Sequence, residues 1–209
     1  DLDAIAAYAK SKGIANTNIS AGLPTMSANN NLFANSSFDS AIGTYVSTTP
    51  STTGWTADAT TIKQDTGNHG SIPSSTNSVA FTASTVASHL FSQHVAVDPT
   101  KTYISNTFVN MTSANTTDEI AFFIDEYAAD GSYLTTQYKK SIFNGVNPLV
   151  KNWNFTYTPT AGAATASLQI YISAGATGYI DNAQLFAADG TGAVVTPPVI
   201  STSDLNGDG

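Results

Sequence analysis

Between residues 32 and 186 the chain alternates short runs of apolar and polar positions, separated by clusters of Gly, Pro, Asn, Asp and Ser. Alternation with a period of two is typical of strands that bury one face. The segments richest in β-branched and aromatic residues are 88–97, 102–110, 119–127, 152–158, 166–172 and 178–186. This rhythm predicts an all-β, antiparallel β-sandwich with a single core.

Within the predicted strands one phase of the alternation is apolar, and these side chains are expected to be buried. The expected core residues are Phe38, Tyr103, Phe122, Ile124, Trp153, Phe155, Leu168, Ile170, Ile172 and Ile180. Side chains of the opposite phase should face solvent and are therefore the candidates for binding.

The two ends of the chain follow different patterns. Apolar residues at helical spacing before Gly13 predict a short N-terminal helix. The expected order is a remnant of a preceding domain (1–22), a linker (23–31), the sandwich (32–187), a Gly-, Thr- and Pro-rich linker (188–203) and a last segment (204–209). That segment, Asp-x-Asn-x-Asp-Gly, has the ligand spacing that opens a calcium loop.

Composition narrows the possible partners. The chain has 209 residues, a net charge of -8 and no cysteine, and its seven basic residues are all Lys. Without Arg to grip phosphates, nucleic acid is not an expected partner, and no apolar run is long enough to indicate a membrane span. We expect a secreted or cell-surface monomer that begins inside a longer protein.

The titratable residues do not form a catalytic pattern. His89 and His94 lie five residues apart on one predicted strand, so they should point to opposite faces and share no metal. Asp125 and Glu126 are adjacent and should diverge, whereas glycoside hydrolysis needs two converging carboxyl groups. A non-catalytic module is therefore expected, with a hydrolase as the alternative.

Three landmarks resemble the jelly-roll carbohydrate-binding modules found beside xylanases and cellulases. The first is 31–39, followed by Trp55; the second is 93–103; the third joins 153–159 to 168–172 and 178–185. The resemblance implies a jelly roll whose opening strand is Asn31–Asp39. It also implies a structural Ca²⁺ near the junction of the first and last strands, with Asp39 and Asp181 as side-chain ligands. The alternative is that these two residues cap turns.

Two shorter resemblances concern the ends of the chain. The segment from Leu2 to Ile14 is similar to the last helix of secreted polysaccharide deacetylases, which would make 1–22 the tail of such a domain. Residues 204–209 resemble the start of a dockerin, which implies a cohesin-like partner or another module. Together the resemblances imply a module that targets a polysaccharide-active enzyme, a deacetylase, to plant or microbial cell-wall polysaccharide.

The phase of the strands indicates where a sugar would bind. Sugars need flat aromatic rings flanked by amides and carboxylates, and the outward positions that meet this need are Asp125, Tyr127, Gln169 and Tyr171. Trp55, in a Thr-rich loop, is expected to stack at the rim of the site, with a core position as the alternative. The competing function is a structural or adhesive spacer without sugar affinity, which the presence of only two Trp favours.

Overall fold

The chain folds into two β-sheets packed face to face, which confirms the predicted β-sandwich. The structure is a computed structural model that describes residues 31–46, 51, 54–67, 77–143 and 151–188. The expected N-terminal helix and domain remnant, almost all of both linkers and the calcium-loop segment lie outside these residues. No helix within the described ranges is long and apolar enough to cross a membrane.

The described residues contain twelve strands. They are β1 (Gly43–Thr44), β2 (Thr56–Ala57), β3 (Ile62–Asp65), β4 (Ser78–Phe81), β5 (Ser88–Phe91), β6 (Val95–Ala96), β7 (Tyr103–Met111), β8 (Glu119–Tyr127), β9 (Tyr133–Phe143), β10 (Lys151–Tyr157), β11 (Thr165–Ile172) and β12 (Gly178–Ala187).

The larger sheet has seven strands in the order β1-β2-β5-β11-β8-β9, with β6 also paired to β11, and the smaller has the order β10-β7-β12-β4-β3. All described pairings are antiparallel except β1 with β2, which is parallel. The expectation of a purely antiparallel core is therefore wrong at that edge. Short edge strands of this kind limit pairing with other chains.

Two of the expected strands differ from the structure. The predicted strand 88–97 is interrupted between Phe91 and Val95, and the expected opening strand at Asn31–Asp39 is wrong because this segment forms turns. Asn35 and Phe38 adopt positive φ values of 53° and 56°, a backbone conformation that cannot continue a strand.

The core lies between the sheets and matches the apolar phase of the strands. Eight of the ten expected core side chains are buried, and Trp153 and Phe155 are partly buried against the core. Both of these belong to β10, an edge strand with no described neighbour on its other side in the smaller sheet. On β8 and β11 the even-numbered residues point inward, so the odd-numbered residues point away from the core.

Candidate functional site

The outer side of the larger sheet carries an unusual concentration of rings, which we call the aromatic face. Its rings belong to Tyr45, His89, Phe91, His94, Phe123, Tyr127, Tyr133, Tyr138 and Tyr171, and its polar residues include Asp125 and Gln169. Because neighbouring strands are about 4.8 Å apart, side chains in register on this face form continuous rows.

One such row crosses four strands. Phe91 on β5 is paired with Gln169 on β11, which is paired with Phe123 on β8, which in turn faces Tyr138 on β9. The Phe123 and Tyr138 rings meet edge to face with centroids 5.6 Å apart, and Tyr138 is 59% exposed. Phe91 is itself only 8% exposed beneath the stacked Tyr45 ring, so the exposed ring of this row is that of Tyr138.

The adjoining row has Asp125 at its centre, between Ser167 on β11 and Thr136 on β9. The Thr136 hydroxyl donates to Asp125 Oδ1 at 2.5 Å, and the Tyr133 and Thr136 hydroxyls are 2.8 Å apart. Asp125 is only 8% exposed, so the surrounding rings place a carboxyl group in a poorly hydrated position at the floor of the face.

This position changes the protonation of Asp125 and its neighbours. Burial raises the pKa of Asp125, opposed by the hydrogen bond from Thr136 and the nearby His89. Burial, reinforced by the charge of Asp125, also raises the pKa of Tyr127 to about 12 and raises the pKa of Tyr45. Both phenols therefore remain neutral hydrogen-bond donors over the physiological pH range.

Stacked ring pairs border the carboxyl group on two sides. Tyr45 stacks on Phe91 and His94 stacks on Tyr127, each with centroids 4.0 Å apart. Burial lowers the pKa of His94, so its ring is neutral at pH 7. These contacts restrict the orientations of the four rings.

The prediction that His89 and His94 point to opposite faces is wrong. Both lie on the aromatic face, because the irregular segment between β5 and β6 resets the alternation that would place them on opposite sides. His89 Nδ1 lies 2.6 Å from Asp58 Oδ2, and its ring meets Tyr171 edge to face at 5.5 Å. Within the described residues no group of three or more His, Cys, Asp or Glu side chains is placed to hold a metal ion.

The structure brings together four of the five residues predicted to bind sugar. Asp125 and Tyr127 on β8 share the aromatic face with Gln169 and Tyr171 on the neighbouring β11. The two strands pair directly, as the hypothesis of a shared face requires.

Trp55 does not belong to this group, so the expected rim position is wrong. Its indole is 2% exposed and packs in the core against Phe33 and Phe38, with ring centroids 5.4 and 5.2 Å away. Trp55 directly precedes β2 and occupies the inward phase, like Ala57 two residues later.

Two further rings of this face, those of Tyr133 and Tyr138, could not be found from the sequence because β9 was not recognised as a strand. Its aromatic residues are Tyr133, Tyr138 and Phe143, each five residues from the next, which breaks the period of two. Register shifts in the β8–β9 pairing, where Leu134 and Lys139 have no Cα partner, produce this spacing and still leave Tyr133 and Tyr138 on one face.

The expected calcium ligands lie at one end of the sandwich. The exposed Asp39 accepts hydrogen bonds from Ser37 and Asn77, both at 2.7 Å, and these hold its pKa below the ordinary value. Asp181 is 1% exposed and lies at a register shift in β12, followed by Asn182 at φ 51°. The Ser36 carbonyl accepts the Ala183 N–H at 3.1 Å, which ties the turn before Asp39 to this part of β12.

Glu126, the residue after Asp125, points into the opposite side of the sheet, as the sequence predicts. Its carboxylate is fully buried and accepts hydrogen bonds at 2.8 to 2.9 Å from the Tyr157 hydroxyl, the Thr160 N–H and the Gln137 amide, and a further one from the Thr160 hydroxyl. The two carboxyl groups therefore diverge and do not form the converging pair that glycoside hydrolysis needs.

No protein-family model and no curated protein sequence matches this chain. Among solved structures, a family 61 carbohydrate-binding module in complex with β-1,4-galactotriose is 16% identical with a TM-score of 0.52, over 75% of this chain and 98% of that one. The C-terminal family 22 module of a Clostridium thermocellum xylanase is 14% identical with a TM-score of 0.50, over 81% and 99%.

An arabinose-bound α-L-arabinofuranosidase is 16% identical with a TM-score of 0.56, over 80% of this chain and 27% of the enzyme. At these identities the comparisons show a shared fold, the β-sandwich, and function has to be argued from this chain's own residues.

Proposed function

We propose that this chain is a non-catalytic carbohydrate-binding module and that polysaccharide binds on the aromatic face of the larger sheet. The observation that carries the proposal is the row Phe91–Gln169–Phe123–Tyr138 beside the Asp125 carboxyl group, which combines rings and polar groups on one surface. The similar fold of a carbohydrate-binding module in complex with β-1,4-galactotriose supports it.

The chemistry of this face suits a sugar. A pyranose ring has apolar C–H faces and a polar rim, so it lies against aromatic rings while its hydroxyls bond to groups between them. Tyr138 and Tyr171 offer ring surface, and the Gln169 amide and the Asp125 carboxyl group accept hydrogen bonds from hydroxyls. Tyr133 and Tyr138 are both 59% exposed, and such ring surface is favourable to cover.

The wider setting belongs to the same proposal. We propose that the sandwich has jelly-roll connectivity and that the protein is a monomer, secreted or at the cell surface. The module would tether a polysaccharide-active enzyme to its substrate and so raise the local concentration of that substrate. The resemblance of the N-terminal segment favours a deacetylase as that enzyme, and the resemblance of the C-terminal segment favours a dockerin-type partner.

The binding test removes rings from this face and from another one. Tyr138→Ala and Tyr171→Ala should each weaken retardation in polysaccharide gels by about 5- to 10-fold, which is about 1 to 1.4 kcal/mol, because each removes a contact surface. The gels would contain xylan, β-1,4-galactan, β-glucan or chitin. Tyr179→Ala is the matched control, since Tyr179 is half-buried on the smaller sheet, and it should bind as the parent does.

Three outcomes separate the possible functions. Loss of binding in the two face variants, with unchanged Tm, supports the module. Absence of parent binding to every polysaccharide favours the spacer. Release of acetate or reducing sugar by the purified chain would contradict a non-catalytic role.

We also propose that Asp39 and Asp181 help to hold a structural Ca²⁺. Asp181 lies at the register shift in β12 beside the left-handed Asn182, and the Ser36 carbonyl ties the turn before Asp39 to this part of the strand. The turn containing Phe38 and the irregular backbone near Asn182 offer carbonyl oxygens of the kind that calcium binds. Because two carboxylates are too few, carbonyl and amide oxygens would complete the six to eight ligands, with about 2.3 to 2.6 Å between metal and oxygen.

Chelation tests the ion. Treatment with EDTA should lower the Tm, and added Ca²⁺, but not Mg²⁺, should restore it, because Mg²⁺ demands a tighter octahedral site. Asp181→Asn should remove the response to Ca²⁺, whereas Asp130→Asn, in the exposed turn after β8, should keep it. An unchanged Tm after chelation would mean that Asp39 and Asp181 only cap turns.

A further inference from the structure

We infer that the aromatic face selects uncharged polysaccharides and rejects those that carry carboxylate or sulfate groups, with Asp125 as the specificity-determining residue. This inference rests on the proposed sugar-binding function and adds the chemical class of the ligand. It follows from the charges on this face and from the surroundings of Asp125.

The first observation is that, in the part of the chain that the structure describes, no lysine side chain lies on this face. Of the described lysine side chains, Lys139 lies over the Tyr157 ring and Lys140 over the Trp153 ring, both on the inner side of β9 at the open edge of the sandwich. Lys63 is on the smaller sheet and Lys101 is in a loop. The positive group that faces Asp125 is His89, when protonated, and it is already paired with Asp58 at 2.6 Å.

The second observation is how poorly hydrated Asp125 is. Water screens exposed charges strongly, but a carboxylate that is 8% exposed among Phe123, Tyr127 and Thr136 is screened much less. A ligand carboxylate brought beside it would meet a like charge in a medium of reduced dielectric constant. The chain's net charge of -8 adds repulsion over longer distances.

An uncharged sugar meets no such penalty. Its hydroxyl donates to the carboxylate, and hydrogen bonds to a charged acceptor are stronger than neutral ones. An amino sugar would also be attracted, but its ammonium group would lose most of its water at this depth, which is costly. The geometry therefore favours hydroxyl donors, and neutral glycans are the ligand class that provides them.

The test uses matched neutral and acidic polymers. Affinity electrophoresis would compare soluble β-glucan with the same polymer oxidised at C6 to the uronate, and β-1,4-galactan with its sulfated form, at low and at moderate ionic strength. The parent should prefer each neutral polymer by more than about 10-fold, with the preference decreasing as salt screens the repulsion.

The decisive variant is Asp125→Asn, which keeps the shape of the side chain and removes its charge. It should bind the neutral polymer more weakly and the acidic one more strongly, reducing the preference by about 5-fold or more. Asp65→Asn, on β3 of the smaller sheet, makes the same change in net charge and should keep the parent's preference.

The outcomes distinguish this inference from the function on which it rests. If no polymer of either class binds to the parent, the sugar-binding function fails. If the neutral and acidic polymers bind equally well, or if Asp125→Asn weakens both by the same factor, sugar binding stands and the selectivity is refuted.

Discussion

Asp125 and Glu126 are consecutive carboxyl groups on β8, and the two sides of the larger sheet treat them in opposite ways. Burial alone raises the pKa of both. For Glu126 the hydrogen bonds from Thr160, Tyr157 and Gln137 outweigh burial and hold its pKa below the ordinary value. Asp125 has a single strong partner, Thr136, and its pKa stays raised.

This difference in hydrogen bonding indicates that Glu126, and not Asp125, is the carboxyl group that stabilises the fold. A lowered pKa means that the folded chain favours the ionised form of a carboxyl group, and a raised pKa means that it favours the protonated form. Glu126 ties β8 and β9 to the segment after β10 through Tyr157 and Thr160. Asp125 lies near the outer surface, accepts a side-chain hydrogen bond from Thr136, and is therefore the carboxyl group to which the proposed function assigns a ligand.

The largest predicted effect is the loss of stability on replacing Trp55, which lies on the inner side of the larger sheet. Trp55→Ala should lower the free energy of unfolding by about 3 to 5 kcal/mol, because it leaves a cavity beside Phe33 and Phe38. Urea denaturation would measure the loss, with Tyr171→Ala as the comparison on the outer side, where the cost should be below about 1.5 kcal/mol. If the two variants were equally stable, Trp55 would not be part of the core.

The next effect concerns Glu126. Glu126→Gln should destabilise the fold by about 2 to 3 kcal/mol, because the new amide NH₂ cannot accept from the donors that now point at the carboxylate. For a domain of this size, that loss of unfolding free energy corresponds to a fall in Tm of about 4 to 12 °C. Binding of polysaccharide by the folded fraction should not change, since this carboxylate faces away from the aromatic face.

The pH dependence gives a second measurement on the same residue. The pKa of Glu126 is lower in the folded chain than its ordinary value of 4.5. Its contribution to stability is therefore complete above about pH 4.5 and is lost as the pH falls through the lower, folded value. The difference in Tm between parent and Glu126→Gln should shrink in acid, and a difference that stayed constant to pH 2 would contradict this account.

Much of the fold could be predicted from the sequence, because long strands with a clear period of two carry their own signal. β7, β8, β11 and β12 end within two residues of their expected bounds. The short edge strands and the bulged β9 have no such period. The turn from Asn31 to Asp39 depends on left-handed residues and on bonds between Asn31 and distant β12, which local patterns do not encode.

The candidate site divides in the same way. Asp125, Tyr127, Gln169 and Tyr171 could be found because they lie on two regular, adjacent strands, so phase alone puts them on one face. Trp55 was misplaced because it stands outside any long strand, where only the tertiary structure decides which way a side chain points. The positions of Tyr45 and His94 on the aromatic face could not be predicted for the same reason, since each lies outside a strand in the structure.

The smallest predicted effect is the change in stability caused by Asp125→Asn. It should be a gain, whereas Glu126→Gln should cause a loss. Because burial raises the pKa of Asp125 above its ordinary 3.8, the protonated form suits the folded chain better. The stability associated with that form is present below about pH 3.8 and is lost as the pH rises through the folded value. At pH 7 the ionised group is therefore a net cost, and replacing it with a neutral amide should raise the Tm by about 1 to 3 °C. At pH 3 the gain should disappear, because the parent's carboxyl group is then neutral as well.

Differential scanning calorimetry at both pH values would measure the change in Tm, with the exposed Asp130→Asn as a control for net charge. A lower Tm at pH 7 would mean that Asp125 stabilises the fold as Glu126 does, and the contrast between the two sides of β8 would no longer hold.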